Sequence, residues 1–371
     1  MLKKMILCTT RFAKIRPTAR VGLGVACALT LSLCGPAAMA EQKTDFKLAW
    51  TIYAGWMPWG YIETSGIMDK WADKYGITVD IVQLNDYVES INQYTAGAFD
   101  GVTATNMDAL SIPAGGGVDS TALIVGDYSN GNDAIIVKGD VGLADLAGKS
   151  VNLVELSVSH YLLARALEQV DLSEADLGAV INTSDADMIA AFQTDDVEVV
   201  VTWNPLVSTI LEDPGATKVY DSSDIPGEII DCLFVNTDTL ADNPAFGKAV
   251  TGAWYETMAL MASGTPEGDA ALSEMAEASG TDLEGYKSQL AATAMFYTPK
   301  AAMEFTEGAS LQTTMVSVAN FLFDKGILGE GAPSPDYVGV AYPDGATTGD
   351  AGNVNLRYDT TYVAMAVDGT L

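Results

Sequence analysis

Residues 151–166, VNLVELSVSHYLLARA, pass from an apolar strand directly into a helix. Val151 to Val154 is predicted to be a short buried strand, and residues 161–167 continue the apolar pattern at helical spacing. The polar residues between these segments therefore fall on a strand-to-helix turn; they are Glu155, Ser157, Ser159 and His160. In an open α/β sheet such a turn lies at the carboxyl end of its strand, where ligands bind.

Two interpretations of this turn are open. In the simpler one, Ser157 or Ser159 only caps the helix, as serine commonly does, and Glu155 and His160 are solvated. In the other, Glu155, Ser157 and His160 contact a ligand. The second interpretation gains support from the side chains that other turns of the chain carry.

Strands, turns and helices alternate in the first part of the chain. The segment 46–53 reads as a strand that ends at an aromatic turn containing Trp56 and Trp59. A second strand is predicted over 77–84, and a third begins at Gly101 and ends near Asn106 and Asp108. This alternation indicates parallel βαβ units and therefore an α/β fold.

The second part of the chain repeats the pattern. After the Val151 strand, a helix is predicted to begin near Asp187, and a β-branched strand over 197–201 ends at Trp203. Asp185 has its own alternative as a helix cap. The segments 126–133 and 225–236 are predicted to cross between two lobes, and Asp231 lies in the second crossing. Residues 333–371 are predicted to be loop-like.

The sequence is predicted to contain a signal peptide and two lobes. Residues 1–40 form a signal peptide, residues 41–127 with 235–371 form lobe 1, and residues 128–234 form lobe 2. The signal peptide has a basic start, an apolar stretch over 21–33 and the cleavage sequence Ala38-Met39-Ala40. We therefore expect a periplasmic protein, and the bulky Leu33 before Cys34 argues against a lipid anchor.

Charge and cysteine content restrict the partners. Removal of residues 1–40 takes away six of the nineteen basic residues and none of the forty-nine acidic ones, which leaves a net charge near −36. Such a chain is not expected to bind nucleic acid. Three of the four cysteines leave with the signal, so Cys232 can form neither an intrachain disulfide nor a cysteine metal cluster.

The order of these motifs resembles the periplasmic solute-binding proteins of ABC importers, within the nitrate, sulfonate and taurine-type branch. The resemblance covers about residues 46–261 and rests on an aromatic Gly-x-x-Pro turn, a Ser-x-Ser-His helix start and a strand ending in Thr-Trp-Asn-Pro. It implies a type II binding-protein fold, in which two α/β lobes joined by two crossover segments enclose a ligand cleft. It also implies a permease and an ATPase as membrane partners, and a monomer.

A narrower resemblance concerns the ligand. The segments GWMPWGYIETSGI (55–67), GVTATNMDAL (101–110), SVSHYLLARAL (157–167) and VVTWNP (200–205) are similar to a subgroup associated with urea carboxylase gene neighbourhoods. That subgroup is labelled urea-binding, and its partner proteins are connected with guanidine. The resemblance therefore implies urea or guanidine as the ligand.

The residues of the predicted turns test this choice independently. Nitrate or a sulfonate would need Arg, Lys or backbone N–H groups, whereas these turns contain no basic residue. They contain carboxylates and aromatic rings, which suit a small planar cation such as guanidinium. Neutral urea would use amides, hydroxyls and backbone groups instead. We therefore favour guanidinium, with urea or a nitrate or taurine-type solute as the alternatives.

Ten residues are predicted to bind the ligand: Trp56, Trp59, Asn106, Asp108, Glu155, Ser157, His160, Asp187, Trp203 and Asp231.

The main alternative to a binding protein is an enzyme, because His160, the single histidine, could act as a general base. The sequence shows no Ser-His-Asp spacing, metal-ligand cluster or phosphate-binding loop, so we expect no catalytic residue, cofactor or metal. A sensor that uses the same closing lobes is a further alternative.

Overall fold

The computed structural model describes residues 43–329 and 331–371. The predicted signal peptide lies outside the described residues. No helix in the described part of the chain is long and apolar enough to cross a lipid bilayer. The described residues belong to a single compact unit.

Thirteen strands are found in the described residues. They are β1 (Asp45–Trp50), β2 (Thr78–Gln83), β3 (Gly101–Thr105), β4 (Ser120–Tyr128), β5 (Asp133–Lys138), β6 (Ser150–Leu153), β7 (Ala179–Asn182), β8 (Val199–Trp203), β9 (Ala216–Asp221), β10 (Ile230–Asn236), β11 (Gly339–Ala341), β12 (Thr347–Thr348) and β13 (Val354–Tyr358).

Fourteen α-helices connect and cover these strands in the described residues. They are α1 (Met57–Thr64), α2 (Ile67–Tyr75), α3 (Tyr87–Thr95), α4 (Asn106–Ala109), α5 (Val158–Glu168), α6 (Met188–Phe192), α7 (Leu206–Ile210), α8 (Thr237–Asp242), α9 (Pro244–Met261), α10 (Pro266–Ala278), α11 (Leu283–Ala291), α12 (Pro299–Thr306), α13 (Ala309–Asp324) and α14 (Thr361–Val367).

The strands form two mixed sheets. The first lobe contains an eight-stranded sheet in the order β12-β11-β13-β4-β10-β3-β1-β2, and the second contains a five-stranded sheet in the order β7-β6-β8-β5-β9. The chain passes from the first sheet to the second over residues 129–132 and returns to the first at Ile230. Residues 230–234, which the sequence-based division assigned to lobe 2, therefore belong to β10 of the larger sheet.

The sheet register brings particular residues to the cleft edge of each sheet. β10 runs antiparallel to both of its neighbours and places Asp231 opposite Thr105 on β3 and Asp127 on β4. In the second lobe, antiparallel pairing of β5 with β8 places Asp133 opposite Trp203. Because β3 and β8 end where β10 and β5 begin, these residues lie together at the sheet edges that face the cleft.

The core of the first lobe follows from the alternation predicted for its first strand. Phe46 and Leu48 on β1 point inward, and the Phe46 ring stacks on Phe246 of α9 with centroids 4.4 Å apart. Gly252 of α9 allows close packing of Trp71 from α2, since a Cβ atom at Gly252 would lie 2.4 Å from the indole. Both helices are thereby fixed against the sheet.

The prediction that residues 333–371 are loop-like is wrong. They form β11, β12, β13 and α14, and β13 pairs in parallel with β4, with Leu356 opposite Ser120. β11, β12 and β13 contain three, two and five residues, which is too short for a clear alternating pattern. Long-range pairing with a strand more than 200 residues earlier, rather than local propensity, orders this segment.

Candidate functional site

A cavity lies where the two sheets face each other. Its volume is about 10 Å³ in this closed arrangement of the lobes, about the space of one water molecule, and its lining side chains come from both lobes. All of them are buried. They are Tyr53, Trp56, Tyr87, Thr105, Asp133, Val158, Trp203 and Asp231.

Four aromatic rings form one continuous side of the cavity. The ring centroids are 5.1 Å apart for Tyr53 and Trp56, 5.8 Å for Trp56 and Tyr87, and 5.5 Å for Tyr87 and Trp203. Trp56 immediately precedes α1, Tyr87 begins α3, and Trp203 ends β8. The faces of such rings are apolar and carry partial negative charge, which suits contact with a cation.

The lobes meet beside this aromatic side. The indole Nε1 of Trp203 donates a hydrogen bond to the carbonyl oxygen of Ile52, at 3.2 Å. The backbone N–H of Ala54 donates to the carbonyl oxygen of Asn204, also at 3.2 Å. The structure therefore shows the lobes in direct contact, with the cavity enclosed between them.

Two carboxyl groups form the polar side of the cavity, one from each lobe. Asp133, at the start of β5, accepts a hydrogen bond of 2.5 Å from the Ser129 hydroxyl. Asp231, near the start of β10, has one carboxyl oxygen that is buried without a hydrogen-bond partner in the described residues. Behind Asp231 lies Asp127, which accepts a hydrogen bond of 2.9 Å from the hydroxyl of Tyr53.

Burial is the main cause of the raised pKa values of Asp127, Asp133 and Asp231. Loss of hydration raises the pKa of Asp133 to about 7 and that of Asp127 to about 7. The pKa of Asp231 is raised well above its ordinary value, first by burial and then by the negative charges of Asp127 and Asp133. None of the ion pairs found among the described residues includes these three aspartates. The site therefore holds uncompensated negative charge or bound protons.

Asp108 supports the lining from behind. Its Oδ2 accepts hydrogen bonds from the Tyr87 hydroxyl at 2.6 Å and from the Thr105 hydroxyl at 2.9 Å. It also accepts from the backbone N–H of Val158 in the second lobe, at 3.3 Å. Burial raises the pKa of Asp108 to about 6 although these three donors favour the charged form. Asp108 thus fixes three lining residues and does not itself line the cavity.

A larger groove between α5 and α13 is the weaker candidate site. Its volume is about 470 Å³, and both of its basic side chains, Arg165 and Lys325, are paired with carboxylates. Arg165 bonds Glu228, and Lys325 bonds Glu174. Because both basic side chains of the groove are already paired with carboxylates, no positive charge there is left for an anionic ligand.

Three of the ten predicted ligand-binding residues line the cavity, namely Trp56, Trp203 and Asp231. Trp59 instead lies in the core of the first lobe, where its ring stacks on Trp254 with centroids 4.8 Å apart. Asn106 ties the returning strand to α4, because its amide donates to the Glu228 carbonyl at 3.1 Å and accepts from the Ile230 N–H at 3.0 Å.

The polar residues of the two predicted helix starts lie away from the cavity. Ser157 caps α5, since its hydroxyl oxygen accepts from the Ser159 N–H at 3.2 Å. Glu155 and Asp187 are exposed. Asp185, which has the alternative of a helix cap, accepts instead from the backbone N–H of Tyr87 across the lobe interface, at 3.4 Å.

His160 is buried in a network that joins the lobes. Its Nδ1 accepts from the Leu156 N–H at 3.1 Å, so the ring proton resides on Nε2 and is donated to Glu174 at 2.8 Å. Glu174 also pairs with Lys325, which immediately follows α13. The hydrogen bond from His160, with the additional bond from Lys325, lowers the pKa of Glu174 to about 2.

Glu174→Gln is expected to lower the free energy of unfolding by about 1–2 kcal/mol at pH 7, because it removes a charged acceptor from two donors. The folded-state pKa of Glu174 lies below its unfolded value, so its contribution is present above about pH 4.5 and disappears towards pH 2. Urea unfolding of both proteins at pH 7, 5 and 3 checks this. An equal difference at all three values would contradict it.

Five lining residues were absent from the predicted set. They are Tyr53, Tyr87, Thr105, Asp133 and Val158. Tyr53 and Thr105 lie at the ends of predicted strands, and this position could have identified them as candidates for the cavity lining. Val158 contributes only an apolar side chain and a backbone N–H, and no sequence pattern identifies it.

Comparison with solved structures gives the fold. The alkanesulfonate-binding protein of Xanthomonas axonopodis pv. citri, bound to MOPS, aligns with a TM-score of 0.65 at 17% identity, over 78% of this chain and 96% of that one. The periplasmic aliphatic sulphonate-binding protein of Escherichia coli aligns with a TM-score of 0.62 at 20% identity, over 76% and 93%. The periplasmic nitrate-binding protein of Synechocystis gives 0.52 at 14% identity, over 87% and 98%.

No protein-family model and no curated protein matches the chain. These three structural matches, at 14% to 20% sequence identity, establish the fold alone. The predicted fold class is confirmed: the chain has the α/β architecture of type II periplasmic binding proteins, with two mixed sheets.

Proposed function

We propose that this protein is an extracytoplasmic receptor that captures guanidinium and presents it to an ABC importer. The observation that carries the proposal is the composition of the enclosed cavity. Two buried carboxyl groups and four aromatic rings face a space that contains no basic side chain in the described residues. Buried charge requires a partner, and here a cationic ligand supplies it.

The charge of the cavity argues against an anionic ligand. The structural matches include proteins named for alkanesulfonate and nitrate, and such anions need positively charged or N–H donors. Asp133 and Asp231 would repel an anion at short range. The ligand class of those neighbours therefore does not transfer to this chain.

A planar organic cation suits the cavity better than a metal ion. No group of three or more His, Cys, Asp or Glu side chains among the described residues is arranged to hold a metal. Guanidinium can donate several hydrogen bonds in its plane to carboxylate oxygens and lie with its face against Trp or Tyr rings. It satisfies the acidic and the aromatic sides of the site at the same time.

Urea has the same shape but carries no charge. Its carbonyl oxygen needs a donor, whereas the polar side of the cavity presents Asp133 and Asp231, which accept hydrogen bonds when ionised. Urea would leave the buried negative charge uncompensated. Discrimination in favour of guanidinium therefore comes from charge, not from shape.

The position of the cavity also explains capture. Asp231 belongs to the first lobe, and Asp133 and Trp203 belong to the second. A cation that bridges Asp231 and Asp133 is larger than the space of about 10 Å³ in this structure, so it binds an arrangement of the lobes slightly wider than this one. Because both lobes contact the cation there, binding shifts the population from the open form towards that arrangement. A permease and an ATPase are the proposed membrane partners, which recognise the closed monomer in the periplasm.

Thermal unfolding of the protein without its predicted signal peptide, residues 41–371, tests this function. At 1 mM, far below denaturing concentrations, guanidinium chloride is expected to raise the Tm by at least about 3 °C relative to sodium chloride, through binding to the folded state. Urea, sodium nitrate and taurine at 1 mM are expected to have no effect. Stabilisation by nitrate or taurine with none by guanidinium would contradict the proposal.

A further inference from the structure

Asp127 and Asp231 form a buried pair of carboxyl groups on adjacent strands. They are direct cross-strand partners on β4 and β10, so their side chains lie side by side on one face of the sheet. Each has an oxygen, Oδ2, that is buried without a hydrogen-bond partner in the described residues. Two ionised carboxylates this close would repel each other strongly in a buried site.

Asp127 is covered on the side of the β1–α1 loop. A Cβ atom at Gly55 would lie 2.6 Å from Asp127 Oδ2, so only glycine allows the loop backbone to pack against this carboxyl group. Asp127 does not line the cavity, whereas Asp231 does. The pair therefore has one member exposed to a ligand and one member enclosed by protein.

Among the described residues, the groups around the pair carry no positive charge. Tyr53 donates to Asp127 from the β1–α1 loop, and Asp133 on β5 adds a third carboxyl group. Cys232 on β10, Tyr286 on α11 and Tyr297 after α11 also feel the charge of Asp127. These are neutral or negative groups, so a proton is the charge that can stabilise the empty pair.

We propose that Asp127 and Asp231 share one proton while the cavity is empty and that guanidinium binding expels this proton to the solvent. This inference rests on the proposed function and adds a role for Asp127, as a positioning residue that acts through Asp231. The incoming cation replaces the proton, so the net charge of the site stays nearly constant.

Proton exchange makes ligand affinity depend on pH. In the empty protein, burial and the nearby charges of Asp127 and Asp133 raise the pKa of Asp231 well above its ordinary value, so the pair keeps one proton at pH 7, and a bound cation favours the ionised form and lowers this pKa. Affinity for guanidinium therefore falls as the pH decreases, by up to about tenfold per pH unit for one proton. Guanidinium itself stays charged near neutral pH.

Titration calorimetry at pH 7 in two buffers with different ionisation enthalpies measures the number of protons released. We expect guanidinium binding to release close to one proton per protein. Saturable binding with no proton release and constant affinity from pH 6 to pH 8 would overturn this inference and leave the proposed function intact. Absence of guanidinium binding at every pH would overturn both.

The variant Asp127→Asn tests whether Asp127 takes part in proton release or has only a structural role. Asparagine keeps a hydrogen-bond donor towards Asp231 but cannot ionise. We expect the number of protons released to fall by at least half and the pH dependence of affinity to become shallower. The exposed Asp187→Asn variant is the matched control and should release the same number of protons as the wild type.

If Asp127→Asn changes the affinity but releases as many protons as the wild type, the role of Asp127 in proton release is contradicted.

Thermal unfolding of the ligand-free protein supplies a second measurement. Because Asp127 is costly when ionised and buried, the Tm of the wild type should rise from pH 8 to pH 6, and Asp127→Asn should reduce that rise. An unchanged rise in the variant would also overturn the inference.

Discussion

Asp231→Asn is expected to weaken guanidinium binding by about 100-fold or more, the largest effect of any single substitution in the cavity. Asp231 lines the cavity, and its buried Oδ2 has no other partner in the described residues. Loss of one partner of a buried charge pair costs about 2–5 kcal/mol, and 100-fold in Kd corresponds to about 2.7 kcal/mol. Titration calorimetry at pH 8 measures the change.

Glu155→Gln is the matched control for Asp231→Asn. It removes one carboxylate from the predicted ligand-binding set, but the structure places Glu155 on the surface, outside the cavity. Its Kd for guanidinium should stay within about twofold of the wild type, because exposed charges interact weakly in water. Near wild-type binding by Asp231→Asn, or an equal loss in Glu155→Gln, would refute the placement of the acidic site.

Trp203→Ala is expected to weaken guanidinium binding by about 30-fold to 100-fold. The indole lines the cavity beside Tyr87, and its Nε1 donates to the Ile52 carbonyl across the lobe interface. The substitution thus removes an aromatic face for the cation and a hydrogen bond that holds the lobes together. Central tryptophans that contribute in both ways typically cost 2 kcal/mol or more when truncated.

Two further variants separate the roles of the tryptophans. Trp203→Phe keeps an aromatic face and loses the hydrogen bond to Ile52, so its affinity should lie between those of the wild type and Trp203→Ala. Trp59→Phe should lower the Tm and leave the affinity unchanged, because Trp59 packs on Trp254 in the core. Weaker binding in Trp59→Phe than in Trp203→Ala would contradict this assignment.

Local patterns in the sequence predicted the alternating strands and helices of both lobes. The strand over 151–154 and the following helix correspond to β6 and α5, and the strand over 197–201 corresponds to β8. Alternating strands and helices impose parallel βαβ connections, so the prediction needed no long-range information. The C-terminal strands β11 to β13 were missed because distant pairing with β4 orders them.

The cavity residues could be predicted only in part. Trp56 and Trp203 follow or end predicted strands, a position that faces the cleft in this fold. His160 also follows a predicted strand, but its ring bonds Glu174, fourteen residues later. The pattern of the turn does not predict that contact. Asp133 lies at a crossing between lobes, and only its register opposite Trp203 shows that it lines the cavity.

The choice between a cap and a ligand contact also depends on tertiary structure. Ser157 caps its helix as serine usually does, whereas Asp185 departs from the capping rule and bonds Tyr87 in the other lobe. Both residues lie at the start of a helical turn, so the local sequence predicts the same capping role for both. The difference arises from how the two lobes pack.

The most direct test of guanidinium capture is titration calorimetry of residues 41–371 at pH 8 with guanidinium chloride, from micromolar to low-millimolar concentration, and with urea in a parallel titration. The acidic and aromatic cavity predicts saturable one-to-one binding of guanidinium and no detectable binding of urea. Saturable binding of urea with none of guanidinium would contradict the cation-binding account.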